Sequence, residues 1–190
     1  IAAAREAAEE FELGLPVPPR LIWLRTLAEA RIQALTALGW QEPPLPGQSS
    51  WGEVPFGGVD GEAYPDGHWP WDIRSPVAIP GTTLTIGGVI DRLDLSGDRT
   101  LARVTDYKTG KPVATVTGEP KKREKLIEAI SEGRALQSAA YLAAAQALGA
   151  TRAEGRLLYL REELDDRSRE FVARHDDAEL AAAFEATART

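Results

Sequence analysis

Apolar and polar positions alternate along the chain with two different periods, and the period changes from segment to segment. Apolar residues three and four positions apart predict amphipathic helices, and Gly39 and Gly133 stand where two of these helices should stop. The Ala/Glu-rich start also favours a helix, and "GLPVPPR" breaks it. The predicted helices cover residues 1–13, 20–39, 119–133, 135–148 and 176–188.

Short apolar runs bounded by Gly, Pro, Asp and Ser predict strands between the helices. The predicted strands cover residues 51–56, 76–80, 82–95, 100–108, 155–163 and 169–175. Residues 41–50 and 57–75 are predicted loops because they are rich in Gly and Pro. The resulting order of helix, strands, two helices, strands and helix predicts an α/β domain with a mixed central sheet flanked by helices.

The chain has 190 residues, of which 43% are hydrophobic, and this is enough for one domain with its own core. We expect a single domain over 1–190, with a helical part at 1–50, a core at 51–175 and a C-terminal helix at 176–190. The chain starts at Ile1 and contains no methionine, so we expect it to be a piece of a longer protein. The lack of a membrane-length apolar run and of a signal sequence predicts a cytoplasmic protein without a membrane partner.

The cysteine content and the distribution of charge limit the kinds of site and partner that the chain can have. There is no cysteine, which excludes disulfides, cysteine-held iron–sulfur clusters and a cysteine nucleophile. The net charge is −7, yet residues 99–125 hold eight Lys or Arg and three Asp or Glu, giving +5. A local basic patch on an acidic chain is where an anionic partner is expected to bind.

Charged residues interrupt two strands that should be buried. Asp91 stands in the run "GGVIDRLDL", and Asp106 and Lys108 stand in "VTDYKTGK". Residues two apart on a strand share a face, so Asp106 and Lys108 point the same way, and antiparallel pairing of the two strands would place Asp91 beside Asp106. Two carboxylates and the carbonyl of Tyr107 are hard oxygen ligands that suit Mg²⁺ or Mn²⁺. A divalent cation lowers the pKa of a water that it binds, which creates a nucleophile near neutral pH.

These two runs, followed by "GRALQSAAYLAAA" and preceded by "WGEVPFGG", resemble the consecutive signatures of the PD-(D/E)xK nuclease superfamily, in particular its RecB-like exonuclease branch. The match covers about residues 51–145, with a looser likeness outside this range. The first segment along the chain, "WGEVPFGG", is similar to the strand before these motifs in the nuclease domains of AddAB-type helicase–nucleases. The resemblance implies a restriction-endonuclease-like core. It also implies an exonuclease domain that works on DNA with a helicase in double-strand-break repair.

Functional residues follow from the resemblance position by position. Asp91 and Asp106 match the metal-binding carboxylates, Lys108 matches the catalytic lysine, and Gln137 and Tyr141 match a Q-x-x-x-Y pair on one helix face. Glu53 is a further candidate metal ligand. The histidine motif that many relatives carry upstream is absent, and so are the four cysteines of AddB-type relatives.

Other readings of the same sequence stay open. The domain could be a catalytically silent DNA-binding or scaffolding module, or a structure-specific or RNA-directed nuclease on the same core. The segment "KKREK" at 121–125 fits a solvated helix face or a phosphate contact equally well. In residues 66–72, the acids Asp66 and Asp72 flank His68, but the neighbouring tryptophans favour aromatic packing on the sheet over a metal cluster. "KTGK" lacks the first glycine and the final Ser or Thr of a phosphate-binding loop.

Overall fold

The computed structural model describes residues 2–40, 42–58 and 67–190, with side chains from residue 5 onward. These residues form five α-helices and seven strands, in the order of helices, strands, two helices, strands and helix that the hydrophobic periods predict. The elements are α1 (Ala2–Gly14), α2 (Arg20–Gly39), β1 (Ser49–Phe56), β2 (Val77–Ala78), β3 (Thr85–Ile86), β4 (Gly88–Leu95), β5 (Leu101–Lys108), α3 (Glu119–Ser131), α4 (Leu136–Ala147), β6 (Arg152–Tyr159), β7 (Glu170–Arg174) and α5 (Ala178–Ala188).

A five-stranded mixed sheet in the order β1-β4-β5-β6-β7 forms the centre of the fold. β4 pairs antiparallel with β1 and β5, β5 pairs parallel with β6, and β6 pairs antiparallel with β7. The parallel step from β5 to β6 needs a long crossover, which α3 and α4 provide. This is a mixed α/β architecture consistent with a restriction-endonuclease-like fold, as the sequence predicted.

The two faces of the sheet differ in character. One face carries Val104, Leu157 and Phe171, which are essentially inaccessible, and helices α3, α4 and α5 cover it. The opposite face carries charged and hydroxyl side chains, which alternate along each strand with the core positions. Asp106 and Lys108 share the helix-covered face with Val104, because residues two apart on a strand point the same way. The opposite face carries a separate set of polar side chains.

Two glycines fix the position of α4. Gly133 adopts a φ of 76° after α3, and its amide donates to the carbonyl of Ile130, so the helix stops and the chain turns into α4. Gly155 on β6 lies so close to α4 that a Cβ atom there would overlap the carbonyl oxygen of Ser138. The absence of a side chain at Gly155 lets α4 settle directly on β6.

Two strand predictions were wrong in extent. The run predicted at 82–95 is divided, because Thr85–Ile86 pairs with Val77–Ala78 in a separate two-stranded sheet. The strand predicted at 155–163 begins earlier, at Arg152, and ends at Tyr159. Beyond it the chain wraps around the buried guanidinium of Arg169, which donates to the carbonyls of Tyr159, Arg161, Glu162 and Leu164.

The N-terminal helices lie outside the core. No residue of α2 is buried, and Leu21 and Leu38 are largely exposed despite their helical spacing. α1 and α2 meet each other through the stacked rings of Phe11 and Trp23, whose centroids are 5.4 Å apart. Within the described residues, no helix is long and apolar enough to cross a membrane.

Candidate active site

The candidate site lies where β4 and β5 separate. Their ladder pairs Leu95 with Ala102 and runs as far as Arg92 opposite Thr105. One residue further, Asp91 uses its carboxylate in place of the backbone, and its Oδ2 accepts a hydrogen bond from the amide of Tyr107 at 2.7 Å. Asp91 therefore lies next to Asp106 where β4 and β5 separate, as expected from antiparallel pairing of the two strands.

Asp106 and Lys108 form an ion pair on the helix-covered face of β5. Asp106 is 2% exposed, and its Oδ2 lies 2.7 Å from the Nζ of Lys108. That oxygen accepts no hydrogen bond of good geometry from the residues that the structure describes. The ammonium of Lys108 thus compensates the charge of this buried carboxylate through a close ionic contact.

Helix α4 contributes two side chains to the same place. Gln137 Oε1 accepts a hydrogen bond from Lys108 Nζ, so the lysine is held between β5 and α4. The hydroxyl of Tyr141 donates to the carbonyl of Val89 at 2.8 Å, and its ring packs edge-on against Phe56 with centroids 5.8 Å apart. Tyr141 is 7% exposed, and these contacts tie α4 to β4 beside Asp91.

Glu53 occupies an unusual backbone position opposite Asp91. The β1–β4 ladder pairs Gly52 with Arg92 and Val54 with Ile90, and it omits Glu53 between them. Glu53 has a φ of 51°, a left-handed conformation that residues other than glycine seldom adopt. Such outliers concentrate at functional sites. The sequence singled out the carboxylate of Glu53 but gave no sign of its backbone conformation.

Comparison with known protein families identifies the family of the chain. The model of the PD-(D/E)XK nuclease superfamily matches residues 1–190. The chain belongs to this superfamily. No curated protein matches the chain significantly. Nucleases of this superfamily usually use divalent metal ions, and their substrates are nucleic acids.

Burial is the largest cause of the pKa shifts of Asp106 and Tyr141. Burial raises the pKa of Asp106, while the ammonium of Lys108 lowers it and the charge of Asp91 raises it, and the net direction is upward. The pKa of the Tyr141 hydroxyl is raised by burial and then by the negative charges of Asp106, Asp91 and Glu53. The carboxylates of Asp91, Asp106 and Glu53 thus all act on one hydroxyl, which indicates a concentration of negative charge at this point.

The donor set at this point fits a hard divalent cation. Asp91 and Asp106 supply carboxylate oxygens, and Mg²⁺ typically binds through one or two carboxylates while keeping several waters. Burial disfavours the charged form of the Asp106 carboxylate, and a bound cation would favour it. No group of three or more His, Cys, Asp or Glu side chains that could hold a metal is found among the described residues. Glu53 accordingly does not complete a three-carboxylate cluster with the other two.

The basic segment after β5 is largely neutralised within the domain. Lys122 pairs with Glu119, Arg123 with Asp177 and Glu179, and Lys125 with Glu128. Lys111 and Lys121 have no ion pair within the described part of the chain. The +5 charge of residues 99–125 therefore overstates the positive charge that is free to meet phosphates.

The aromatic segment before β2 packs on the sheet, as expected. Trp69 and Trp71 are partly buried against the core, and the indole nitrogen of Trp71 donates to the carbonyl of Pro55 at 2.9 Å. Trp51 on β1 donates to the carbonyl of His68 at 3.1 Å. Asp72 accepts a hydrogen bond from the amide of Arg74 at 3.0 Å, so its carboxylate serves a local turn. Asp66 lies outside the described residues.

Proposed function

We propose that this domain is a metal-dependent deoxyribonuclease of exonuclease type. The observation that carries the proposal is the meeting of Asp91, Asp106, Lys108 and Gln137 at the diverging ends of β4 and β5. Carboxylates, an ammonium group and an amide from three separate elements converge there, in a chain that belongs to a nuclease superfamily.

Each side chain has a distinct role in the proposed reaction. Asp91, Asp106 and the carbonyl of Tyr107 would hold Mg²⁺ or Mn²⁺, without Glu53, which forms no three-carboxylate cluster with the two aspartates. The cation would supply Lewis-acid activation of water and neutralise charge on the phosphate. Lys108 stabilises the negative charge that develops on the scissile phosphate, because its ammonium is fixed in direction by Asp106 and Gln137. The amide of Tyr107 orients the carboxylate of Asp91.

Tyr141 acts as a positioning residue in this proposal. Its hydroxyl binds the carbonyl of Val89, two residues before Asp91, and its helix carries Gln137 one turn earlier. Loss of this tie would let α4 move relative to β4. Burial raises the pKa of Tyr141, so its hydroxyl stays protonated further into the alkaline range than that of an ordinary tyrosine.

The motif order supports a finer assignment to the RecB-like branch. We propose that the domain digests linear DNA ends, that a helicase domain or subunit delivers the DNA, and that the complex works in double-strand-break repair in the cytoplasm. The small number of unpaired lysines near the site supports dependence on a partner, because a helicase that holds DNA raises its local concentration at the nuclease.

A panel of substrates tests the proposal. The domain is incubated with Mn²⁺ and with linear duplex DNA, covalently closed circular duplex DNA, single-stranded DNA or RNA, and an Asp91→Asn/Asp106→Asn double variant serves as the inactive control. Degradation of linear DNA but not of circular DNA by the wild type alone is the expected result. Cleavage of RNA only, or of circular duplex, would favour the structure-specific or RNA-directed alternative. Binding of DNA by the wild type without cleavage of any substrate would favour the silent scaffolding module.

A further inference from the structure

The face of the sheet opposite the candidate active site contains a second polar pocket, which we name the back-face pocket. Its volume is about 220 Å³. Strands β4, β5 and β6 form its floor, and the segment that follows α2 forms its wall. The lining side chains that matter here are those of Trp40, Arg92, Arg103, Thr105, Tyr107 and Arg156.

Strand register explains why arginines gather at this pocket. One row of paired residues crosses the sheet as Asp94, Arg103, Glu154 and Arg174, so acids and bases alternate. The next row places Thr105 directly between Arg92 and Arg156, and it contains no acid. Two guanidinium groups therefore flank one hydroxyl, across neighbouring strands about 4.8 Å apart.

Several buried groups that line the pocket can donate hydrogen bonds but have no acceptor in the part of the chain that the structure describes. Thr105 is 2% exposed and Arg156 is 5% exposed, yet Oγ1 of Thr105 and one terminal nitrogen of Arg156 have no hydrogen-bond partner within the described residues. The same holds for Nε of Arg103, which lies 3.8 Å from a carboxylate oxygen of Glu154, and for the indole nitrogen of Trp40. All of these groups can donate, and a buried donor without an acceptor costs about 1–3 kcal/mol.

Two acids, Asp94 and Glu42, also line the pocket, but they are already engaged or too distant to accept from these donors. Asp94 accepts from Ser50, Gln48 and Arg92 at 2.6–3.1 Å. Glu170 binds the Nε of Arg156, and the carboxylate of Glu42 stays 3.8 Å from the terminal nitrogen. The pocket therefore suits a ligand that is rich in hydrogen-bond acceptors.

We propose that the back-face pocket binds the phosphate group of a small molecule, either inorganic phosphate or a nucleotide. The unsatisfied donors come from two strands and from the covering segment, and so they approach from several directions. A tetrahedral phosphate accepts from all sides, whereas a planar carboxylate accepts mainly in its own plane. Trp40 and Tyr107 border the same volume and would give a nucleotide base an aromatic surface.

Calorimetric titration of the intact chain tests the proposal independently of nuclease activity. Sodium phosphate, dAMP and deoxyadenosine are titrated separately in the presence of EDTA, which removes metal from the Asp91–Asp106 site. Phosphate should bind with a Kd of about 1 mM or tighter, and deoxyadenosine should not bind. Equal affinity for phosphate and dAMP identifies free phosphate as the ligand, and tighter binding of dAMP identifies a nucleotide.

Matched variants locate the binding. Thr105→Val keeps the volume of the side chain and removes the donor, so it should weaken phosphate binding about fivefold or more, and Arg156→Gln about tenfold or more. Arg174→Gln, on the same sheet face but outside the pocket, should bind phosphate like the wild type. Thr105→Val decides the question if Arg156→Gln does not fold. Absence of phosphate and dAMP binding at about 10 mM, equal affinity in Thr105→Val, or loss of binding in Lys108→Ala would overturn the proposal.

Discussion

At the scale of single residues, Lys108 is the side chain whose contacts point most directly to chemistry. Its ammonium group is held by Asp106 on the same strand and by Gln137 on α4, so it is fixed in direction before a substrate arrives. A preorganised positive charge stabilises a transition state because it needs no rearrangement during the reaction.

Replacement of Lys108 by alanine should therefore reduce the rate of DNA hydrolysis by at least ~10². Mn²⁺ affinity measured by calorimetry should change little, because the carboxylates remain. Lys125→Ala is the matched control, since Lys125 is a half-buried lysine whose one ion pair among the described residues is with Glu128. A Lys108→Ala protein that is as active as Lys125→Ala would remove the lysine from the proposed mechanism.

The backbone of Glu53 and its carboxylate can be tested separately. Glu53→Gly and Glu53→Ala both remove the carboxylate, but only glycine adopts a φ of 51° without strain. Relief of about 1–2 kcal/mol of left-handed strain exceeds the entropic cost of glycine, which is about 0.4–1 kcal/mol. Urea unfolding should thus show Glu53→Gly to be more stable than Glu53→Ala by about 0.5–1 kcal/mol. Equal stabilities would mean that this backbone is not strained.

Part of the candidate site could be predicted from the sequence because it depends on residues that are close together in the chain. The alternation of side chains along a strand depends only on neighbouring residues, so Asp106 and Lys108 could be placed on one face from the sequence. The contact of Gln137 with Lys108 spans 29 positions and was accessible only through the resemblance to a family. The φ of Glu53 depends on how β1 and β4 pair, which no local pattern reports.

At the scale of secondary-structure elements, the position of α4 over β6 determines where Gln137 and Tyr141 lie. Gly155→Ala should push α4 away from β6, because the added Cβ would overlap the carbonyl of Ser138. We expect a loss of about 1–3 kcal/mol in unfolding free energy together with a fall in nuclease rate. Gly39→Ala, where open space surrounds the position, should change stability by less than about 0.5 kcal/mol. Equal behaviour of the two variants would show that the close approach is unimportant.

A second element-scale feature joins α3 to α5. Asp177 caps α5 by accepting from the amide of Leu180 at 3.1 Å, and Arg123 donates to both of its oxygens at 2.6 and 2.7 Å. The Arg123 guanidinium lowers the pKa of Asp177 below its ordinary value of 3.8. Because the folded-state pKa is the lower one, the stability that this group contributes is present above about pH 4 and is lost as pH falls through the folded-state pKa.

Asp177→Asn retains a capping oxygen and removes the charge. The wild type should therefore lose more stability than Asp177→Asn when urea unfolding is compared at about pH 6 and about pH 3. Arg123→Gln should give the same flattening of the pH dependence, because it removes the other half of the pair. Parallel pH profiles for the three proteins would show that the bridge does not stabilise the fold.

Element boundaries were predicted well where the stop signals are local. Gly39 and Gly133 stop helices where expected, and Asp177 caps α5. The prediction that a strand extends to residue 163 was wrong because the strand ends where Arg169 binds the chain. This buried guanidinium donates to carbonyls of the loop that follows β6. A hydrophobic pattern does not report such a non-local contact. The back-face pocket was missed for the same reason, since it needs the register of three strands.

At the scale of the whole molecule, the net charge of −7 opposes contact with DNA, and most positive charges near the site are paired internally. Lys111 and Lys121 have no ion pair in the described part of the chain, and Lys108, although paired with Asp106, lies in the candidate site, so these three lysines are the best placed to meet phosphates. Arg99 lies at the opposite end of β5, and Arg103 faces the back-face pocket. The domain alone should consequently bind DNA weakly.

Salt dependence of DNA binding measures this weakness. About three phosphate contacts predict that the logarithm of the binding constant falls with the logarithm of salt concentration with a slope of about −3. Fluorescence anisotropy of a labelled duplex across a salt series gives this slope, and a Lys111→Ala/Lys121→Ala double variant should reduce it by about two. A slope of about −6 or steeper in the wild type would show that the paired cations also meet the DNA.

The central claim is that the opening between β4 and β5 is a metal-dependent hydrolytic centre. Its most direct test is the release of nucleotides from linear duplex DNA at low salt, measured without added metal, with Mn²⁺, and with Mn²⁺ followed by excess EDTA. Asp106→Asn runs beside the wild type. We predict release by the wild type only with Mn²⁺, arrest by EDTA, and no release by Asp106→Asn despite an intact fold. Full release in EDTA, or by Asp106→Asn, would contradict the account.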